Sequence, residues 1–450
     1  MENKYCVAVC GGAVAGSEAV EQMTSKGVHV VVFDQNALPY GKIETGLPKW
    51  HVKLRDKQEQ KIDQKLNNPL VHYVPNCRLG KDIHFKDITN NWGFNAVLLA
   101  TGAWNDRPLP VSGIDKYLGK GFYYQNPFVQ WFNLSHDPSY GGPDFEIRDG
   151  AVVIGGGLAS IDVAKILMIE TFRQAINKLG KNMDSITVER LGLSAAAEQV
   201  AVNLDDLDLK GCTVFYRRRI IDMPLSPDPV NKNEEDMKKA HTVREKIVSL
   251  AMDKYKFKLV DCHSPKEIIT DNERITGIIM QKNKIENGRA VPVKGEITRI
   301  TTPLIISSIG SIPDIIDGIK GSDEKFDLDD PQSGRLTGYH NVFALGNAVT
   351  GKGNIKESQL HGRNVSESII RDYLGVDQTE HKSDYDFKND FVQQLQPVAE
   401  FVQKSKPLPE EKFNEIMYKV KNLQQKAGYE NDYNSWIKKN LPIRLENMSA

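Results

Sequence analysis

The chain opens on Tyr5-Cys-Val-Ala-Val-Cys10, runs through Gly11-Gly12-Ala13-Val14-Ala15-Gly16, and returns in Val28-His-Val-Val-Val-Phe33-Asp34. The first run is apolar and of strand length. Ser17 to Lys26 has helical spacing, Gly27 stands where a helix stops, and the second run is a buried strand that ends in an acid. A strand, a Gly-rich turn, a helix and a strand-terminal acid about 20 residues on form the dinucleotide-binding fingerprint. Each part has a physical reason. The turn lets a pyrophosphate approach the helix N-terminus, whose free N–H groups and dipole stabilise an anion. Asp34 is the expected acceptor for ribose hydroxyls. Ala13 occupies the second glycine position, where its methyl either displaces the pyrophosphate slightly or is absorbed by a backbone shift.

A second fingerprint starts after Gly150. Ala151-Val-Val-Ile154 reads as a strand, Gly155-Gly-Gly157-Leu158-Ala159-Ser160 as the turn, and Ile161 to Ile169 as the opening of a helix. The next clear strand, Cys212-Thr-Val-Phe-Tyr216, ends in Arg217-Arg218-Arg219 and not in an acid. Strand-terminal arginine is how such a fold accepts a 2′-phosphate, which favours NADP over NAD. The span from Gly155 to Cys212 is about twice that of a compact β-α-β unit. Helical patterns at Thr171 to Leu179 and Ala195 to Leu204 account for the excess. Two fingerprints some 145 residues apart imply one resident and one exchanging dinucleotide, as in a flavin enzyme driven by a nicotinamide.

Three further strand-to-glycine turns complete the pattern. Ala96 to Ala103 runs through Ala100-Thr101-Gly102, and Pro303 to Pro313 repeats the form around Gly310. Asn341-Val-Phe-Ala-Leu-Gly346-Asn347 is the third, and Gly351 to Arg363, containing Gly353-Asn354-Ile355, opens another helix. The fold expected is α/β, with two Rossmann-like domains and the NADP domain inserted in a split FAD domain. The boundaries expected are 1–112 and 331–380 for FAD, 113–330 for NADP, and 381–450 for a helical C-terminal extension.

Composition excludes several alternatives. The 450 residues carry 58 basic and 59 acidic side chains, so no global basic field calls for nucleic acid. No uncharged apolar run approaches the roughly 18 residues of a membrane helix. No signal-like N-terminus is legible either, so a cytoplasmic protein is expected. The five cysteines, Cys6, Cys10, Cys77, Cys212 and Cys262, are scattered and contain no Cys-x-x-Cys. That spacing supports neither a zinc site nor a dithiol relay beside a flavin.

With these motifs in place, the chain resembles the adrenodoxin reductase family of ferredoxin–NADP reductases and its relative, the small subunit of glutamate synthase. Pro39-Tyr-Gly41 and Gly46 to Lys53, with His51 at the family's histidine position, carry the likeness. Phe128-Val-Gln-Trp-Phe-Asn133 resembles the reductase side, whereas Tyr216-Arg-Arg-Arg219 with Met223-Pro224 resembles the glutamate synthase side. No cysteine-rich iron–sulfur segment is present, which favours the former. The resemblance implies FAD at the first fingerprint, with Gly41 in its site, and NADPH at the second. It also implies roles near the flavin for His51 and for Asp162, on the helix after the second turn. Such a pair could steady protonation as hydride arrives. The plainer reading is that His51 packs and Asp162 sits at the positive end of a helix. Two departures stand out: Lys49-Trp50 replaces the Pro-Asp expected before the histidine, and Asn347 replaces an Asp directed at the ribityl chain.

The activity expected is hydride transfer from NADPH to FAD, followed by single-electron release to a ferredoxin-like carrier. Two alternatives are an electron-input subunit of a larger complex and a degenerate, non-catalytic nucleotide-binding subunit. Bases between Lys42 and Lys65 (Lys42, Lys49, Lys53, Arg55, Lys57, Lys61 and Lys65) offer either a docking face for an acidic carrier or a solvated helix. Asn233 to Ser249 reads as an exposed mixed-charge helix, and Lys382 to Asp390 as a linker. Beyond it, Pro409-Glu-Glu opens a helix with Phe413, Ile416, Met417, Val420 and Leu423 on one face and Gly428 at its end. That face packs on the parent domain or on a partner or second copy.

Overall fold

A computed structural model describes residues 4–226, 229, 233–322, 324–351, 353–376 and 405–448. The expected linker at Lys382 to Asp390, and Lys352 within the turn at 351–355, lie outside the described residues. The chain divides into two units. The first comprises Met1–Glu44, Lys53–Asn105 and Ser311–Pro442, and the second Thr45–Val52, Asp106–Gly310 and Ile443–Ala450. The first unit is therefore split by insertion of the second.

The first unit is built on a seven-stranded sheet. Its order is Leu328–Asp330, Arg335–Leu336, Val342–Ala344, Ala96–Leu99, Cys6–Cys10, His29–Phe33 and Val71–Val74. The last five strands run parallel, with Val9 level with both Val32 and Leu98. Cys6–Cys10 is buried throughout, as its unbroken apolar run requires for a central parallel strand. Its neighbours are the strand that follows it and one that arrives some 60 residues later than that. This reversal of strand order opens a crevice at the carboxyl ends, where Gly11 begins. The core joins Cys6, Ala8, Cys10 and Phe33 to Phe413, Ile416 and Val420 of the helix Glu410–Ala427. The apolar face of the C-terminal helix thus packs on its own unit.

The second unit repeats the plan. Its five parallel strands lie in the order Phe122–Tyr124, Ile305–Ser308, Val152–Gly155, Thr213–Phe215 and Lys258–Val260. The helix opening at Ile161 to Ile169 and the pattern at Thr171 to Leu179 are parts of one unbroken helix, Leu158–Lys178, because no breaker interrupts its buried face. The second crossover pattern is helical as Leu193–Gln199 and stops short of Leu204, where Ala201 adopts a left-handed conformation (φ 52°). The helix Glu234–Tyr255 is not solvated all round. Its Arg244 is buried and donates to the carbonyls of Ile221 and Ser226 at 2.9 and 3.1 Å.

A three-stranded antiparallel sheet, His263–Asp271, Arg274–Glu286 and Arg289–Thr301, was not anticipated. Its Ile275, Ile278 and Met280 join Phe122, Val152 and Ile305 in one core cluster. The signal was in the sequence: Asn287-Gly288, both at positive φ, is the two-residue turn that matches strand twist in a hairpin.

The basic stretch does not present one continuous face. Arg55 is buried against Asp56 and Glu59, and Lys65 pairs with Glu18 and Glu21 at 2.6 and 3.0 Å. Lys42 donates to Ser311 Oγ, while Lys49 lies 4.1 Å from the Phe132 ring centroid and burial lowers its pKa to about 8. Only Lys53, Lys57 and Lys61 of the seven are exposed. The helix Val52–Leu66 buries Arg55, Gln58, Ile62 and Leu66 along one side and leaves Lys53, Lys57 and Lys61, four residues apart, on its exposed side.

Candidate dinucleotide sites

In the first unit, Gly11 stands at φ 103°, and a Cβ there would meet Ala100 O at 2.4 Å. Gly16 is tighter, since its Cβ would fall 1.8 Å from Gly11 O. Only glycine lets the strand end and the helix begin this close to the neighbouring strand. The helix Val14–Thr24 has Ala13 as N-cap with no side-chain acceptor, so its first-turn N–H groups are left to an anion. Ala13 is accommodated from the other side by Gly41, whose own Cβ would lie 2.9 Å from the Ala13 methyl.

Asp34 ends the second strand, 4% exposed, and accepts from Gly12 N at 2.8 Å and Asn36 N at 2.9 Å. Its burial pushes the carboxyl up to about 6, against the pull of those two N–H groups. Between about pH 4 and pH 6 the folded chain therefore holds a proton that the unfolded chain has released. The flavin-free protein should lose about 3 kcal/mol of stability as pH rises through that window. Asp34→Asn is expected to flatten the slope, read as the urea midpoint at pH 4, 5 and 6. An unchanged slope in the variant would remove Asp34 as its source.

Two atoms test whether this unit fits a flavin. Thr101 Oγ1 and Asn347 Oδ1 are buried and find no hydrogen-bond partner among the described residues. Leaving a buried polar group unpaired costs about 1–3 kcal/mol, so both are placed for donors or acceptors that the described residues do not supply. Thr101 lies between Ala100 and Gly102, whose turn also holds Trp104 by a 2.8 Å bond from its Nε1 to Thr101 O. Asn347 opens a short helix after Gly346, whose N–H donates to His361 Nδ1 at 3.1 Å. Burial lowers the His361 pKa, which keeps the ring neutral and its Nδ1 an acceptor. Asn354 caps the helix Ile355–Ser368 by accepting from Glu357 N, and Gly353 stands 3.7 Å from Asn347 Nδ2 by its Cβ position. These residues fit FAD.

In the second unit, a Cβ on Gly155 would meet Ser308 O at 2.3 Å, and one on Gly156 the Tyr216 ring at 2.1 Å. Nothing lies within 4 Å of the corresponding point at Gly157. The helix Leu158–Lys178 again starts without a side-chain cap; Ser160 Oγ turns back to Gly157 O at 2.6 Å, and Ala159 lies between. Gly310 follows the strand Ile305–Ser308, its carbonyl accepting from Arg107 N at 3.0 Å. The three arginines divide. Arg219 is bound by Asp222 at 2.9 Å, and Arg218 donates to Tyr216 OH and Asp222 O at 3.0 and 3.1 Å. Arg217 is exposed, and its guanidinium has no partner among the described residues. An unspent cation at the strand end fits a 2′-phosphate.

His51 and Asp162, 111 residues apart in sequence, meet within the second unit, His51 Nε2 lying 3.5 Å from Asp162 Oδ1. Beside them is a residue the sequence reading missed. Lys165 is 8% exposed and sits 3.7 Å from Asp162 Oδ1 and 3.0 Å from Glu189 Oε1. Tyr255 OH closes the network at 2.7 Å from Glu189 Oε1, and the Lys165 ammonium lies over the Trp50 ring at 4.5 Å. Lys165 was readable as the i+3 neighbour of Asp162 on one helix face; Glu189 and Tyr255 were not. All five cysteines are free thiols, and burial holds Cys6, Cys10 and Cys77 well above the ordinary thiol pKa. None is poised as a thiolate nucleophile. Among the described residues no cluster could hold a metal and no helix is long and apolar enough to cross a membrane.

Comparison with known proteins agrees with this geometry. Residues 5–206 match the family model of the pyridine nucleotide-disulphide oxidoreductases. The mitochondrial NADPH:adrenodoxin oxidoreductase of Arabidopsis thaliana is 23% identical over 336 residues, covering 68% of each chain. The NADPH-ferredoxin reductase FprA of Mycobacterium leprae is 22% identical over 380 residues, covering 78% of this chain and 79% of that one. Among solved structures, Mycobacterium tuberculosis FprA in complex with NADPH has a TM-score of 0.66 at 17% identity, over 94% of this chain and 91% of that one. Over residues 5–206 the chain is similar to the pyridine nucleotide-disulphide oxidoreductases, and over most of its length to reductases of the adrenodoxin reductase and FprA kind.

Proposed function

We propose that this chain is an NADPH-dependent flavoprotein reductase whose electrons leave singly to a ferredoxin-like carrier. Bound FAD and NADPH supply the hydride and one-electron chemistry, as cofactors do in such enzymes. The protein's part is to bind, orient and balance charge. Gly11 to Gly16 and Asp34 hold the pyrophosphate and ribose of FAD, with Thr101 and Asn347 completing its polar contacts. Gly155 to Ser160 hold the pyrophosphate of NADPH, and Arg217 reads its 2′-phosphate. His51 is kept in orientation by Asp162, whose Oδ1 lies 3.5 Å from its Nε2. The relatives named as adrenodoxin and ferredoxin reductases support the carrier class. The absence of any cysteine pair argues against a dithiol as the next acceptor.

The observation that carries this reading is the contrast between the two strand ends, a buried acid at Asp34 and a free cation at Arg217. Arg217→Ala is expected to raise KM for NADPH about 10- to 100-fold, the loss of one charge-assisted hydrogen bond. KM for NADH should stay within about twofold. Equal effects on both nucleotides, read in steady-state assays with an artificial acceptor, would contradict the assignment.

A further inference from the structure

The helix Tyr433–Asn440 lies beyond the extent of the dinucleotide fingerprints, yet it is tied into the first of them. Trp436 Nε1 donates to Ala37 O at 2.7 Å, an acceptor shared with Tyr73 OH at 3.2 Å. Tyr433 OH donates to Asp63 Oδ1 at 2.8 Å, and Tyr40 OH reaches both oxygens of the same carboxylate at 3.1 Å. Tyr429, Tyr433 and Trp436 are each buried, and their rings stack edge-on around Tyr73 and one another at 5.5 to 5.8 Å.

The segment held in this way, Ala37 to Gly41, starts three residues after Asp34. It also forms a wall of the Gly-rich turn: a Cβ on Gly12 would lie 2.9 Å from Pro39 Cβ, and one on Gly41 2.9 Å from the Ala13 methyl. The position of Pro39 and Gly41 therefore sets how much room Gly12 and Ala13 leave. Ala13, bulkier than the glycine usual there, makes that room critical.

We propose that the helix Tyr433–Asn440 is a strap on the adenosine side of the FAD site, with Trp436 and Tyr433 as positioning residues that hold Ala37 to Gly41 and slow FAD release. This rests on the reading of the first unit as the FAD site. Two hydrogen bonds end on that segment or on the carboxylate that fixes it, so loosening them frees the wall without altering any residue that would contact FAD. The strap also explains why the apolar face of Glu410–Ala427 is spent on its own unit, since that helix delivers Tyr433–Asn440 to this position.

The test uses the full-length flavin-loaded protein and follows FAD release by recovery of free-FAD fluorescence after dilution. Tyr433→Phe keeps its ring and removes only the hydroxyl donor, whereas Trp436→Phe removes the Nε1 donor together with part of the indole that packs on Tyr429. The double variant is expected to release FAD about 10-fold faster, and Tyr433→Phe alone about threefold faster. Ile416→Val, in the core under the preceding helix, serves as the stability control and is expected to leave the release rate unchanged. NADP⁺ affinity should be unchanged in all three. An unaltered rate in the double variant would overturn the proposal, as would an equal acceleration in Ile416→Val at a matched loss of thermal midpoint. A wild-type protein that binds no FAD would overturn the flavin reading itself, which separates the two failures.

Discussion

Gly156→Val is expected to leave FAD bound and to lower the affinity for NADPH at least about 100-fold. The reason is local. A Cβ at position 156 would fall 2.1 Å from Tyr216 Cδ2, far inside any real contact. The ring cannot swing aside freely, because its hydroxyl donates to Asp222 O at 3.0 Å and accepts from Arg218 Nε at 3.0 Å. Tyr216 is also 6% exposed, so little space surrounds it. Any displacement of the ring drags Arg218 and Asp222, and with them the loop that presents Arg217. The substitution thus strikes the pyrophosphate turn and the 2′-phosphate cation together. The measurement is single-turnover flavin reduction over a range of NADPH, with dithionite as the control that the flavin is present and reducible. An NADPH dependence within twofold of wild type would refute the placement of NADPH at this turn.

Lys165→Met is expected to cost about 3–5 kcal/mol, the penalty for leaving buried carboxylates without their cation. For a cooperative unit of about 220 residues, such as the one that holds this cluster, that is a fall in thermal midpoint of roughly 10 °C. Lys165 lies between Asp162 and Glu189 and is covered by the rings of Trp50 and Tyr255 at 4.5 and 5.0 Å. Methionine fills much of the same volume, so the loss is one of charge more than of packing. Adding Glu189→Gln should return most of the lost stability, because it removes one of the two stranded charges.

The pH dependence has a definite sign. Burial alone would raise the Glu189 pKa, but Lys165 and the Tyr255 hydroxyl outweigh it and the net shift is downward. A depressed carboxylate contributes stability above its unfolded pKa and loses it as pH falls through the folded one. The difference between wild type and Lys165→Met should therefore be full at neutral pH and shrink below about pH 4. A drop of less than about 2 °C at neutral pH would show that Lys165 is not the counter-charge of this cluster.

Both dinucleotide turns were legible in the sequence because their chemistry is local. Strand, turn, helix and terminal residue follow within some 30 residues, and each glycine answers to a close approach between adjacent elements. The C-terminal helix was legible for the same kind of reason, its apolar spacing being set by one helix face. What stayed hidden depended on partners far away in sequence. Arg244 reads as an ordinary charge on a mixed helix until the carbonyls of Ile221 and Ser226 come round to it, and Lys165 has no legible role until Glu189 and Tyr255 do. Arg55 and Lys65 misled for the converse reason, since a basic run says nothing about which bases the helix turns inward. The antiparallel sheet at 263–301 is a different case: its Asn-Gly turn is plain in the sequence but belongs to no β-α-β repeat.

The decisive measurement is an anaerobic absorbance titration of the purified protein with NADPH and, separately, with NADH. The structure's two strand ends lead to a definite expectation: a yellow protein whose flavin is bleached by near one equivalent of NADPH and poorly by NADH. A colourless protein, or a bound flavin that neither nucleotide reduces, would contradict a reductase and leave a nucleotide-binding subunit in its place.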